Sequence, residues 1–282
     1  MEKLIINFTP TGMIPTKEMT PHVPISPEEI ANDVLKAAEL GASIAHLHAR
    51  NPDGTPTQDP EVFADIIRRI RAKNKEIILG VTCSGRKDNS FEGRSLVLEL
   101  DGDVKPDMGS LTLSSLNFNK NASVNSPEMI QKLAKKMREK GIKPELEVFD
   151  IGMVNYAHYL IKKDILQPPF YFNLLLGNIA CAQPDLINAG LMIRELPENS
   201  TWAFAGIGNA QLKMNTLGLI WGGHVRVGLE DNIFFDNPLR SELATNIQLV
   251  RRIIQFAKTY GREIATPREV RKKLGLRTPE EV

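Results

Sequence analysis

SPEEIANDVLKAAELGASIAHLH, residues 26–48, contains one helix and the strand that follows it. Ile30, Val34, Ala37 and Ala38 fall at helical spacing, so 27–40 reads as an amphipathic helix. Ser26 supplies an N-cap, Glu29 completes a capping box, and Gly41 stops the helix. Residues 43–48 then read as a short apolar strand. A helix leading into a strand is the repeating element of a parallel α/β sheet.

The same alternation runs outward in both directions. Strand-sized apolar runs lie at 4–8, 77–82, 107–113, 145–149, 170–176, 201–205 and 224–227. Helical patterns lie at 60–72, 127–140, 153–163, 184–195, 210–220 and 238–260, the last beginning at Pro238. Eight such units match a closed (β/α)8 TIM barrel, read as a single catalytic domain over 1–282 with a short charged tail after Gly261. An open doubly wound sheet needs a glycine-rich phosphate loop after its first strand. Thr9-Pro10-Thr11-Gly12 does not have that spacing.

Composition narrows the class of function. The chain has 282 residues, 42% hydrophobic, with 35 basic against 34 acidic side chains. That balance lacks the basic excess of a nucleic-acid binder. No apolar run approaches the roughly 20 residues of a membrane span. Cys83 and Cys181 are too few for a disulfide framework and read as small buried side chains. The N-terminus turns polar within a few residues, so a cytoplasmic protein is expected.

Barrel enzymes react at the C-terminal ends of their strands. The second strand ends in Ala45-His46-Leu47-His48, and its period of two aims both imidazoles into the mouth. Such a pair suits a divalent ion of zinc type; the alternative is two hydrogen-bonded histidines. Glu230 and Asp231 follow the eighth strand, where a carboxylate completes a two-His-one-carboxylate set. Arg226 on that strand points inward and calls for an acidic partner such as Asp231. His224 opens the strand and reads as structural. Glu145 and Glu147 share one face of the fifth strand, where paired acids can make a general acid or base. Thr82, Ser84 and Gly85 suit close approach of a ligand carboxylate, and Ser110, Thr112, Asn7, Thr9 and Asn173 add polar groups. Arg86, Lys87, Arg94 and Lys120 are basic groups near the mouth that read as solvated surface charge.

Three segments carry a family resemblance: the His-x-His strand end, Pro-Glu-Leu-Glu-Val-Phe-Asp at 144–150, and Gly-Gly-His-Val-Arg-Val-Gly-Leu-Glu-Asp-Asn at 222–232. With Pro-Thr-Gly at 10–12 and Pro-Ile-Ser-Pro-Glu-Glu-Ile at 24–30, the chain resembles the β-keto acid cleavage enzymes. The resemblance implies a zinc-dependent barrel, usually a homotetramer. Its reaction condenses a β-keto acid with acetyl-CoA to give acetoacetate and a new CoA thioester. It implies His46, His48 and Glu230 as zinc ligands, with Arg226, Asp231 and Glu145 catalytic. Thr82, Ser84, Gly85 and, more loosely, Ser110 match the substrate-carboxylate segment. Arg86, Lys87, Arg94 and Lys120 are candidates for CoA contact but read rather as solvated surface charge.

One position departs from the family pattern. The resembled family includes 3-keto-5-aminohexanoate cleavage enzymes, which receive the substrate ammonium on a glutamate where this chain has Ile14; a slip in that loop would leave Glu18 as the acid. An aliphatic side chain cannot pair an ammonium, so a keto acid with a neutral or apolar tail is expected. The rival readings are a metal-dependent aldolase or hydrolase acting without CoA, and a non-catalytic binding barrel.

Overall fold

All eight apolar runs pair in parallel with their sequence neighbours, and the first pairs with the last. The computed structural model describes residues 1–236 and 239–282. Its barrel strands are β1 Ile6–Phe8, β2 Ile44–Leu47, β3 Ile78–Val81, β4 Met108–Thr112, β5 Lys143–Val148, β6 Phe170–Leu176, β7 Ser200–Gly206 and β8 His224–Val227. They close in sequential order, with Asn7 beside Arg226 at the β1–β8 seam. The helices outside are α1 Pro27–Leu40, α2 Pro60–Arg71, α3 Phe91–Ser95, α4 Pro127–Lys140, α5 Ile151–Lys162, α6 Leu186–Arg194, α7 Ala210–Ile220 and α8 Asn246–Tyr260. The expected (β/α)8 architecture is therefore present.

Local chemistry sets the helix ends. Ser26 and Glu29 form the capping box of α1, and Gly41 closes it in the left-handed region at φ 115°. Asp185 caps α6, which begins after Pro184 rather than at it. The expected start of the last long helix, Pro238, lies outside the described residues; α8 begins at Asn246 behind a Thr245–Gln248 capping box. No described helix is long and apolar enough to cross a membrane.

Side chains alternate across each strand, so inward positions stack in layers. The lowest layer is apolar, with Ile5, Ile44, Ile78, Met108, Tyr171 and Ala203 packed together. Two residues along each strand the layer turns polar, with Asn7, His46, Ser110, Glu145, Asn173 and Arg226 all buried. Two residues further, His48, Thr82, Thr112, Glu147, Leu175 and Ile207 line a cavity at the mouth. The polar middle layer is affordable because nearly every group in it is paired. His224 is structural as expected. Its Nδ1 accepts from the Ile5 N–H at 3.1 Å, and burial pushes its pKa down to about 3, keeping the ring neutral.

The charged tail is more than a tail. Residues Pro267–Leu274 form α9, whose Val270 and Leu274 join Ala265 against the lowest barrel layer. Arg271 enters with them and is 2% exposed. Its five N–H donors are all used: Asp107 accepts two, at 2.9 and 3.1 Å, and the Glu76, Ile77 and Arg277 carbonyls accept the rest. Charge here marks a buried plug, which hydrophobic patterning misses. Arg271→Ala strips Asp107 of its main partner, and breaking such a pair costs about 3–5 kcal/mol. Thermal denaturation is expected to show a melting temperature lower by roughly 10 °C. An unchanged melting point would mean that α9 does not seal the barrel.

Candidate metal centre

Among the described residues, His46, His48 and Glu230 present ligand atoms that all lie within 4.8 Å of one another. The His46 and His48 Nε2 atoms are 3.2 Å apart. Glu230 Oε1 lies 3.2 Å from His48 Nε2 and 3.9 Å from His46 Nε2. Strand β2 delivers both rings to one face, and the turn after β8 brings the carboxylate to them.

The layer beneath orients the first histidine. His46 Nδ1 meets Glu145 Oε2 at 2.7 Å, and Glu145 Oε1 accepts from Asn7 at 2.7 Å and Asn173 at 2.6 Å. Burial alone would raise the Glu145 pKa. The charge and hydrogen bond of His46, with Arg226 and Asn7, outweigh it and hold Glu145 down at about 2. Gly80 leaves the passage open, since a Cβ there would stand 3.3 Å from Glu145 Oε2. An ionised Glu145 keeps the proton of a neutral His46 on Nδ1 and turns the Nε2 lone pair into the site.

These residues fit a divalent cation. Two imidazole nitrogens face each other, and Glu230 Oε2 is buried without a hydrogen-bond partner among the described residues. Burial disfavours an imidazolium at His46, yet Glu145 and Glu230 lift its pKa to about 9, while burial pushes His48 down. The carboxylates around His46 thus favour positive charge in this cluster. Two nitrogens and a carboxylate oxygen are a donor set of zinc type that leaves coordination positions for water or substrate.

Arg226 ties the neighbouring acids together. It donates to Asp231 at 3.0 and 3.3 Å, to Glu147 at 3.0 Å and to Glu230 at 2.7 Å. Burial disfavours its cation, but the three carboxylates more than compensate and raise its pKa well above the ordinary value. Burial pushes Asp231 up to about 6 against the pull of Arg226. Cys83, beside the site, is raised to about 12 by burial and is not a nucleophile.

The Pro-Thr-Gly turn after β1 supports Glu230 from behind. Gly12 has φ +65°, and a Cβ on it would lie 2.5 Å from Glu230 Cγ. Its carbonyl accepts from Arg50 Nε at 3.1 Å and Nη2 at 2.6 Å, so the turn cannot swing away freely. Gly12→Ala is expected to displace the Glu230 carboxylate and weaken divalent-ion affinity by about 10–100-fold, the usual cost of disturbing a ligand's support. Metal titration checks this; unaltered affinity would show that the turn yields.

A cavity of about 110 Å³ opens onto these groups. Thr82, Ser84 and Ile14 line it, together with His48, Glu230, Arg226 and Asp231. Four expected residues do not, and the first is His46, which is 1% exposed and stands behind His48. Glu145 sits behind His46 with no exposure, and Glu147, one layer higher, reaches the cavity instead. Ser110 is also one layer down, and its Oγ accepts from the Cys83 N–H at 3.1 Å. Gly85 packs on Arg94, where a Cβ would come within 2.8 Å of Nη1. Two basic residues read as surface charge are not on the surface. Arg94 is 2% exposed and donates to the Cys83 carbonyl, and Arg86 lines the cavity over the Phe118 ring. Lys87 and Lys120 are exposed as expected.

Residues 3–276 match the family model described as "beta-keto acid cleavage enzyme". Over 279 residues the chain is 41% identical to a 3-keto-5-aminohexanoate cleavage enzyme of Fusobacterium nucleatum, covering 98% of this chain and 99% of that protein. It is 34% identical to a 3-oxoadipate:acetyl-CoA acetyltransferase of Cupriavidus necator, over 96% of this chain and 94% of that one. The solved apo structure of ObcA superposes with a TM-score of 0.81 at 20% identity, over 91% of this chain and 66% of that one, a likeness of fold. The chain belongs to the β-keto acid cleavage enzyme family.

Proposed function

We propose that the protein is a zinc-dependent acyltransferase that condenses a β-keto acid with acetyl-CoA to give acetoacetate and a new CoA thioester. One observation carries the reading: a three-residue metal-ligating cluster borders a small cavity through His48 and Glu230, and the Arg226–Asp231 pair lines the same cavity. In the balanced reaction the C2–C3 bond of the keto acid breaks, and C2 joins the acetyl carbonyl carbon. The released acyl group takes the CoA sulfur. No water, oxidant or reductant is consumed.

A zinc ion held by His46, His48 and Glu230 supplies Lewis-acid polarisation of the substrate carbonyl. The remaining work belongs to the chain. Asp231, held by Arg226, accepts a proton from C2 of the keto acid and returns it to the same carbon of the acetoacetate enolate once the C2–C3 bond has broken. Arg226 stabilises negative charge that develops on oxygen. The Thr82 and Ser84 hydroxyls donate to the substrate carboxylate. Ser110 and Gly85 act indirectly, by fixing the backbone of that segment. Glu145 is a positioning residue for His46. Ile14 gives the substrate tail an apolar wall.

The proposal puts the reaction in the cytoplasm, consistent with acetyl-CoA as co-substrate. The proposal extends to one catalytic domain over the whole chain, assembled as a homotetramer; light scattering checks the assembly. The reaction is tested with a panel of β-keto acids and acetyl-CoA, measuring acetoacetate and the new thioester. Both products are expected, only with acetyl-CoA present. Cleavage without acetyl-CoA would support an aldolase or hydrolase instead.

A further inference from the structure

Among the described residues of the cavity, Arg86 is the cation with no ion pair to a carboxylate, although Glu230, Glu147 and Asp231 act on it from farther off. Arg226 is occupied by Glu147, Glu230 and Asp231. Among the described residues, none accepts a hydrogen bond from the Arg86 guanidinium. It is held instead by a face: its Cζ lies 3.6 Å from the centroid of the Phe118 ring. Phe118 is in turn braced by Phe149, edge to face at 5.9 Å and 89°. Stacking fixes the plane of the guanidinium and leaves its N–H edge free. A planar fork with free donors matches a carboxylate or a phosphate taken by two parallel hydrogen bonds, and the small, partly apolar cavity favours the carboxylate.

Position says which carboxylate. The metal ligands come from β2 and the turn after β8, on either side of β1. Phe118 and Phe149 follow β4 and β5, so the aromatic platform lies across the mouth from the ligands. A keto acid whose reacting end sits at the metal ligands reaches Arg86 with its other end. Apolar Leu116 and Ile14 also line the cavity, and methylenes suit such walls. Ile14 therefore keeps the tail apolar along its length, while its terminus meets a cation.

We propose that Arg86 receives a second, remote carboxylate, so that the preferred substrates are β-keto dicarboxylic acids. The proposal rests on the acyl-transfer reading above and replaces the expectation of an uncharged tail. Burial presses the Arg86 pKa downward, with Glu230 and Glu147 opposing, so an incoming anion relieves a half-buried charge.

The test compares 3-oxoadipate with 3-oxohexanoate, acids of equal length that differ only in a terminal carboxylate or methyl group. With acetyl-CoA, the wild type is expected to prefer the diacid in kcat/KM by about 10–100-fold, the range for a charge-assisted pair in a partly wet site. In Arg86→Gln that ratio falls towards one through a rise in KM for the diacid, and Arg86→Lys restores part of it. A wild-type preference for 3-oxohexanoate overturns the proposal. So does an Arg86→Gln enzyme that keeps the ratio while its KM for acetyl-CoA rises, since Arg86 then serves the thioester. Calorimetric binding of the unreactive pair adipate and hexanoate separates this inference from the reaction itself. If neither keto acid reacts, the acyl-transfer reading fails for them. Tighter adipate binding lost in Arg86→Gln still supports the carboxylate site, and equal binding of the two overturns it.

Discussion

Replacing His46 with alanine is expected to remove the bound divalent ion and lower turnover by at least about 10³-fold, while the fold persists. The size follows from what is lost. A polarising metal contributes several kcal/mol of charge stabilisation, and each 1.36 kcal/mol is a factor of ten in rate. His46 is also the ligand in which both ring nitrogens are committed, one to Glu145 and one to the site. Its removal leaves Glu145 buried beside Asn7 and Asn173, so some loss of stability accompanies the loss of metal. Glu145→Gln is the milder change. The ligand stays, its orientation loosens, and metal affinity falls by about 10–100-fold. Elemental analysis of the purified variants and assay at saturating metal check both. Full metal content with full turnover in His46→Ala would remove this residue from the site.

Replacing Asp231 with asparagine is expected to separate metal binding from chemistry. The substitution keeps the shape and one acceptor for Arg226, which now donates at 3.0 and 3.3 Å to the two carboxylate oxygens. An amide cannot take a proton from carbon. Turnover should fall on the order of 10²–10⁴-fold, the range for loss of a positioned general base. Because Asp231 is not one of the three clustered ligands, zinc stoichiometry should stay near that of the wild type. The KM for the keto acid should change less than kcat, since the lost interaction belongs to the transition state. A variant that loses zinc as well would make Asp231 part of the coordination shell. One that retains turnover would move the base elsewhere, with Glu147 next in line because it lines the same cavity.

The barrel was legible because its signals are local and repeat. Helix caps such as Ser26 and Glu29, and apolar runs of strand length, need no knowledge of distant residues. The pairing of His46 with His48 was legible for the same reason, since a period of two fixes their common face. Choosing between Glu145 and Glu147 was not. Both share a face and Glu147 stands nearer the mouth, but which of them is level with the cavity follows only from distant partners, His46 for Glu145 and Thr112 with Arg226 for Glu147. Arg86 and Arg94 escaped because a charged residue in a polar loop looks solvated in one dimension. The stacking partner Phe118 and the acceptor on Cys83 come from other segments. The plug α9 escaped because its charge outweighed its sparse apolar residues. Thr266, Pro267, Glu269 and Gly275 nevertheless spell a capped helix that closer attention to end signals finds.

The proposed chemistry depends on an ion at one place. Crystals grown with zinc and measured on both sides of its absorption edge would locate it directly. The account predicts one strong anomalous peak about 2.0–2.2 Å from His46 Nε2, His48 Nε2 and a Glu230 carboxylate oxygen, with open coordination facing the cavity. A cluster free of anomalous density at saturating zinc, or a peak held by other side chains, would contradict it.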